Sequence, residues 1–265
     1  MAKKALCIGI NDYPGIQNDL SGCVNDVQDW TKVLESRGFT VRQLLDRSAT
    51  KSAMVAEIER LIGDGNPGDS LVFQYSGHGS WVPEQDGDEP DGRDEVLCPS
   101  DVGQNSVLTD DELYDLFATR KAGVNLVFLS DSCHSGSVSR APRMVLRGDE
   151  KPTKSRFLDP RKFLPPKEAE KAMLISHGRV TSPRPHQGLL ISGCQDLQTS
   201  ADAWFEGRAN GAFTYFAIKA LKDLPANATY RQWHSTIRSF LPNASFEQEP
   251  NLFGTRSHKD RKVLE

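Results

Sequence analysis

The sequence predicts an α/β fold built on a mostly parallel central sheet with helices on both faces. Three observations carry this. Short apolar runs at Ala5 to Ile10, Ser70 to Tyr75, Val124 to Leu129 and Gly188 to Cys194 read as strands covered on both sides. Segments with apolar residues at helical spacing stand between them. Strand alternating with helix at this interval calls for βαβ units, whose right-handed crossovers place helices on both faces.

Taken in order, Ala5 to Ile10 is the first central strand, followed by the loop Asn11-Asp-Tyr-Pro-Gly15. From Ser21 to Ser36 the residues Val24, Val27, Trp30, Val33 and Leu34 recur on one helical face, and Gly38 supplies the stop. Thr40 to Leu45 is a second strand. Ser48 or Thr50 caps a helix with Met54, Val55, Ile58, Leu61 and Ile62 on its apolar side, ended by Gly63-Asp-Gly-Asn-Pro-Gly68. Ser70 to Tyr75 is a third strand and runs into Ser76-Gly-His78-Gly-Ser80. Asp86 to Asp94 forms an acidic loop, Glu95 to Cys98 a short strand, and Asp110 to Arg120 a helix that Thr109 can cap. Val124 to Leu129 is the fourth strand. After residues 138–186 come a strand at Gly188 to Cys194, helices at Gly211 to Leu221 and about Thr229 to Phe240, and a short strand at Asn251 to Phe253.

Residues 138–186 break the pattern. They hold seven of the fifteen prolines and carry twelve Lys/Arg against five Asp/Glu, or +7, which leaves the remainder of a −4 chain at −11. Such a strip is expected to be a mobile linker with no packed element of ordinary length. It interrupts one domain and separates no second one: 1–137 and 187–265 form a single unit around it.

At 265 residues and 37% hydrophobic content, the chain can bury one sizeable core. The first apolar run is too short for a membrane span and lacks a cleavage site after it, so a cytoplasmic protein is expected. Five scattered cysteines with no CxxC pair exclude a disulfide framework and a zinc knuckle. The acidic body speaks against a nucleic-acid surface.

Chemistry gathers at two strand ends. The fourth strand stops where Asp131, Ser132 and Cys133 emerge, followed by His134-Ser-Gly-Ser137. Ligands in open α/β sheets bind at the carboxyl ends of strands. His78 follows the third strand, so neighbouring third and fourth strands would present His78 and Cys133 at one edge. An imidazole there can take the thiol proton and return one to a leaving amine. Gly79 and Cys133 are candidate oxyanion-hole amides. His78 alone is more often a structural loop histidine, and Cys133 alone an inert buried thiol; together at matched strand ends they read as a dyad.

Asp131 points to the substrate. Residues i and i+2 of a strand share a face, and a bare carboxylate beside a thiol opposes its ionisation. The arrangement is sensible when a cation on the substrate matches the charge. Asp26, on the first helix, and Ser76 complete a candidate acidic pocket, suited to the bidentate pairing of arginine.

Four runs carry a family resemblance: Ser21-Gly-Cys-Val-Asn-Asp26, Tyr75-Ser-Gly-His78-Gly, Asp131-Ser-Cys133-His-Ser-Gly and Ile191-Ser-Gly-Cys-Gln-Asp-Leu-Gln-Thr-Ser-Ala-Asp202. In this order they resemble a metacaspase, called an orthocaspase in bacteria, over Ala5 to about Phe253. The His-to-Cys separation, 133 − 78 = 55 residues, agrees with the interval of about 50 in caspases. The resemblance implies a caspase-like sandwich, a His78/Cys133 dyad, a basic-residue pocket at Asp26, Ser76 and Asp131, cleavage after Arg or Lys, self-cleavage within 138–186, and a monomer. It also matches calcium-binding aspartates to Asp94, Asp110 and Asp111. The acidic ligand expected after the nucleophile is replaced by Ser137-Val-Ser-Arg140, and Pro90 spoils an EF-hand reading of Asp86 to Gly92, so calcium is an option and no cofactor is required. The alternatives are a caspase-like regulatory or interaction module without proteolysis, and a transpeptidase on the same fold.

Overall fold

The computed structural model describes residues 1–84, 92–103, 106–134, 152–175, 187–195 and 198–265. Its strands are β1 (Lys3–Gly9), β2 (Thr40–Leu45), β3 (Ser70–Ser76), β4 (Gly79–Pro83), β5 (Arg93–Leu97), β6 (Leu108–Thr109), β7 (Asn125–Asp131), β8 (Lys154–Ser155), β9 (Leu189–Ser192), β10 (Ala201–Phe205), β11 (Arg208–Gly211) and β12 (Asn251–Phe253). The helices are α1 (Cys23–Ser36), α2 (Lys51–Gly63), α3 (Asp110–Ala118), α4 (Pro166–Leu174), α5 (Ala212–Lys222), α6 (Tyr230–Arg238) and α7 (Arg256–Lys259).

The main sheet runs β12-β9-β7-β3-β1-β2, parallel except for β12. Period-two alternation splits its side chains between two cores. Leu6 and Ile8 of β1 join Leu71 and Phe73 of β3 and the apolar faces of α2 and α3. Ala5 and Cys7 point the other way, to Val27 and Trp30 of α1, Phe213 of α5 and Trp233 of α6. Trp30 and Trp233 meet edge-on at 6.0 Å. The α/β class with helices on both faces is as the sequence predicts.

The helix starts follow side-chain chemistry. Thr50 Oγ1 accepts from the Ala53 amide at the head of α2, and Thr109 and Glu112 form a reciprocal capping box on α3. α1 begins two residues later than the sequence predicts, because the Ser21 and Gly22 amides donate to the carboxylate of Asp202, 2.8 and 3.0 Å away.

Two features depart from expectation. Two antiparallel three-stranded sheets, β4-β5-β6 and β11-β10-β8, stand beside the main one. And the basic segment is not simply a loose linker: within its described part, 152–175, lie β8, a turn at Pro160–Lys162 and α4. Arg156 is 0% exposed, Leu158 1% and Phe163 5%. Proline does not prevent this, since Pro165 and Pro166 occupy the helix start, where a missing N–H costs nothing.

Candidate active site

β3 and β7 are hydrogen-bonded neighbours in the register Ser76↔Asp131, so the His78 and Cys133 loops leave the sheet at one edge. The His78 Nε2–H donates to the backbone carbonyl of Asn18 at 2.7 Å. That bond fixes the tautomer and leaves Nδ1 as the basic nitrogen; Nδ1 is buried and has no hydrogen-bond partner among the described residues. The His78 amide donates to the Tyr13 hydroxyl at 2.8 Å, and the Tyr13 ring lies 4.7 Å from the imidazole. Burial pushes the His78 pKa down to about 4, so the ring is neutral at pH 7. The His134 Nδ1–H donates to the Val96 carbonyl at 3.2 Å, which ties the Cys133 loop to β5.

Cys133 is fully buried, its Sγ 3.8 Å from Ser155 Oγ and 3.9 Å from the Ser200 carbonyl. Gly79 packs so closely on Cys133 that a Cβ there would collide with the Cys133 carbonyl oxygen. All five cysteines are free. Burial raises the pKa values of the Cys7, Cys23 and Cys98 thiols, which suits inert core residues.

Asp26, Asp131 and Asp202 stand together, and a residue of this chain lies among them. Arg156 Nη2 donates to Asp26 Oδ2 at 2.7 Å and to Asp202 Oδ1 at 2.9 Å. Its Nη1 lies 3.2 Å from Asp131 Oδ1 and donates to the Asp131 carbonyl at 3.1 Å. The carboxylates are themselves held: Asp26 Oδ1 accepts from the Gly211 amide and Asn210, Asp131 from the Thr214 amide and hydroxyl and the Ser200 hydroxyl, and Asp202 from the head of α1. Gly211 leaves the room this needs, since a Cβ would run into Asp131 and the guanidinium. Three carboxyl groups share one cation. Burial accordingly raises Asp26 to about 7 even though Arg156 opposes the shift.

The main chain around Arg156 is also engaged. Its amide donates to the Ser200 carbonyl, and its carbonyl accepts from the Gly79 amide, both at 2.9 Å. β8 pairs antiparallel with β10, Ser155 opposite Ala201 and Lys154 opposite Asp202. Past Arg156, the Leu158 amide donates to the Gly79 carbonyl at 2.9 Å. An extended segment added to a sheet edge in this manner is how many proteins hold peptides. A cavity of about 650 Å³ lies instead where Lys3, Ser70 and Asn125 begin their strands, the opposite sheet edge.

Of the predicted pocket residues, Asp26 and Asp131 meet at Arg156. Ser76 is buried beside them, and its hydroxyl accepts from Gln74 rather than from the guanidinium. Sequence reasoning missed Asp202, Asn18 and Arg156 itself. Asp202 ends one of the motif runs and was visible there; Arg156 stood among other basic residues with only the following Phe-Leu to set it apart. Asp94 lies on β5, and Asp110 and Asp111 open α3. Among the described residues no three His, Cys, Asp or Glu side chains are grouped to hold a metal. The acidic residues 86–91 and the expected fourth ligand near residue 140 lie outside the described residues. Nor, among the described residues, is any helix long and apolar enough to cross a membrane.

Comparison with known proteins bears on the family and the fold. Residues 3–142 match the model of the metacaspase, peptidase C14 domain. The chain is 33% identical to metacaspase-1 of Cryptococcus neoformans, over 94% of this chain and 62% of that protein. It is 32% identical to metacaspase-1 of Scheffersomyces stipitis, over 94% of this chain and 70% of that one. A crystal structure of protein GSU0716 from Geobacter sulfurreducens superposes with a TM-score of 0.74 at 30% identity, covering 99% of this chain and 98% of that one.

Proposed function

Since the chain belongs to the metacaspase family, we propose that it is a cysteine endopeptidase that cuts after arginine or lysine and first cuts itself between Arg156 and Phe157. Arg156 is the observation that carries this reading. Its cation lies among three carboxylates while its carbonyl accepts the Gly79 amide, the arrangement a substrate arginine needs.

In this mechanism the Cys133 thiol gives its proton to His78 Nδ1, the ring being oriented through Asn18. Sγ attacks the Arg156 carbonyl carbon, and negative charge develops on the oxygen that the Gly79 N–H already faces. One such donor lowers the barrier of related reactions by about 3–4 kcal/mol. The tetrahedral adduct collapses, the Phe157 nitrogen leaves with the proton from His78, and water releases the thioester. Cutting frees residues 152–156 to leave their places, which opens the acidic pocket to other arginines and lysines. Until then Arg156 acts as a plug, and the charge that makes Asp131 unfavourable beside a thiol is matched from within the chain.

A fluorogenic peptide series with Arg, Lys, Asp or Ala before the reporter tests the specificity. Turnover of the Arg and Lys peptides, lost in Cys133→Ala and His78→Ala and retained in His134→Gln, is expected. Turnover of the Asp peptide alone would refute the pocket assignment.

A further inference from the structure

The segment after Arg156 is fastened to the fold independently of the bond that joins it to Arg156. The Leu158 amide donates to the Gly79 carbonyl, and the Leu158 carbonyl accepts from the Ser80 hydroxyl at 2.6 Å. Leu158 and Phe163 are buried in the core beneath α2 and α3. Asp159 caps the turn at Pro160–Lys162, the Lys162 ammonium donates to Asn18 Oδ1 at 2.8 Å, and α4 buries Ala169 and Ala172. The acyl side is held differently, by two residue pairs on β10, by the Arg156 amide on the Ser200 carbonyl, by the Lys154 ammonium on the Asp19 carbonyl and by the guanidinium. Once the bond is cut, the amine-bearing half has every reason to stay.

We propose that the freed α-amine of Phe157 is an acyl acceptor, so that the self-cut enzyme transfers arginine-terminated acyl groups onto Phe157 in competition with water. This rests on the self-cleavage reading above. The chemistry reverses the cutting step. The neutral amine attacks the thioester carbonyl, an N–C bond forms as the S–C bond breaks, the amine proton passes to His78, and Cys133 regains its thiol. No other reactant is needed. An α-amine has a pKa of about 7.7–8.0, so a useful fraction is neutral at pH 8. Well-oriented intramolecular nucleophiles reach effective concentrations of about 10⁵ M or more, which lets one tethered amine compete with bulk water. Two consequences follow: the self-cut is reversible while 157–175 stays seated, and an outside peptide ending in arginine can be joined to this chain.

The test uses self-cut protein at pH 8 with acetyl-Lys-Ser-Arg carrying an aminocoumarin reporter, a donor that copies Lys154-Ser-Arg156. Reporter release is followed by fluorescence and the 157–265 fragment by intact and tandem mass spectrometry. The expected result is a fraction of that fragment heavier by one acetyl-Lys-Ser-Arg group, attached at the Phe157 nitrogen. Ser80→Ala, which unties the Leu158 carbonyl, should lower the ratio of acylated to hydrolysed donor several-fold. Reporter release with no mass gain, a gain on a lysine side chain instead, or a ratio unchanged in Ser80→Ala would overturn the proposal and leave the peptidase reading standing. No self-cut and no reporter release would overturn the reading beneath it.

Discussion

Replacing Arg156 with alanine removes one cation from among three carboxylates. Arg156 and Asp26 are 0% exposed, Asp131 1% and Asp202 3%, so water can do little to replace the guanidinium while the fold stays closed. Breaking a buried ion pair from one side costs about 3–5 kcal/mol. At about 2–4 °C per kcal/mol for a chain of this size, the melting temperature should fall by roughly 6–20 °C. The loss has a pH sign. Asp26 is already raised to about 7 by burial with Arg156 opposing the shift, and without the guanidinium it rises further. A carboxyl raised in the folded state favours folding when protonated and loses that contribution as pH climbs through its folded pKa. The deficit should therefore be smallest near pH 5 and grow towards pH 9. Calorimetry of Cys133→Ala against Cys133→Ala/Arg156→Ala measures this without self-cleavage. Added N-acetylarginine amide should return about 2.7 kcal/mol at a hundred times its Kd. Equal melting temperatures with no pH trend would refute the assignment of Arg156 as the charge partner of this pocket.

Gly211→Ala places a methyl against Asp131 and the guanidinium; at about 1–3 kcal/mol for such overpacking, kcat/KM on Arg peptides should fall roughly 5- to 150-fold, and steady-state kinetics showing no change would contradict the placement. His78, lowered to about 4 from an ordinary 6.5, stabilises the fold above pH 6.5 and loses that contribution as pH falls towards 4. Cys133→Ala should lose about 3 kcal/mol over that interval through this residue, and His78→Gln on the same background should lose measurably less in pH-dependent chemical denaturation. Thr109→Ala breaks the capping box of α3 and should cost about 1 kcal/mol without changing kcat/KM.

Much of the fold was legible because its strands are buried on both faces and its helices are amphipathic: the runs at β1, β3, β7 and β9 and the periodicities of α1, α2 and α5 need no tertiary information. That the His78 and Cys133 loops leave the sheet at one edge followed from their strands being parallel neighbours. The strands β4, β10 and β11 did not read out, being short and set in polar, glycine-bearing sequence. The order within 152–175 was hidden by its prolines and charges. Leu158 and Phe163 are single apolar residues whose burial depends on a surface made elsewhere, and the value of Arg156 depends on Asp26, Asp131 and Asp202, which lie 130, 25 and 46 residues away in the chain. A cation in a basic strip looks solvated until its partners are placed. Ser76 shows the converse: its position beside Asp131 was readable, whereas its bond to Gln74 was not.

In the proposed mechanism Arg156 is bound as the chain's own first substrate. Intact mass and amino-terminal sequencing of freshly purified protein test it most directly. The expected products are fragments 1–156 and 157–265, a new terminus beginning Phe157-Leu158-Asp159, and a single uncut mass for both Cys133→Ala and Arg156→Ala. Cleavage elsewhere in 138–186 with the Arg156–Phe157 bond intact, or the same fragments from Cys133→Ala, would contradict it.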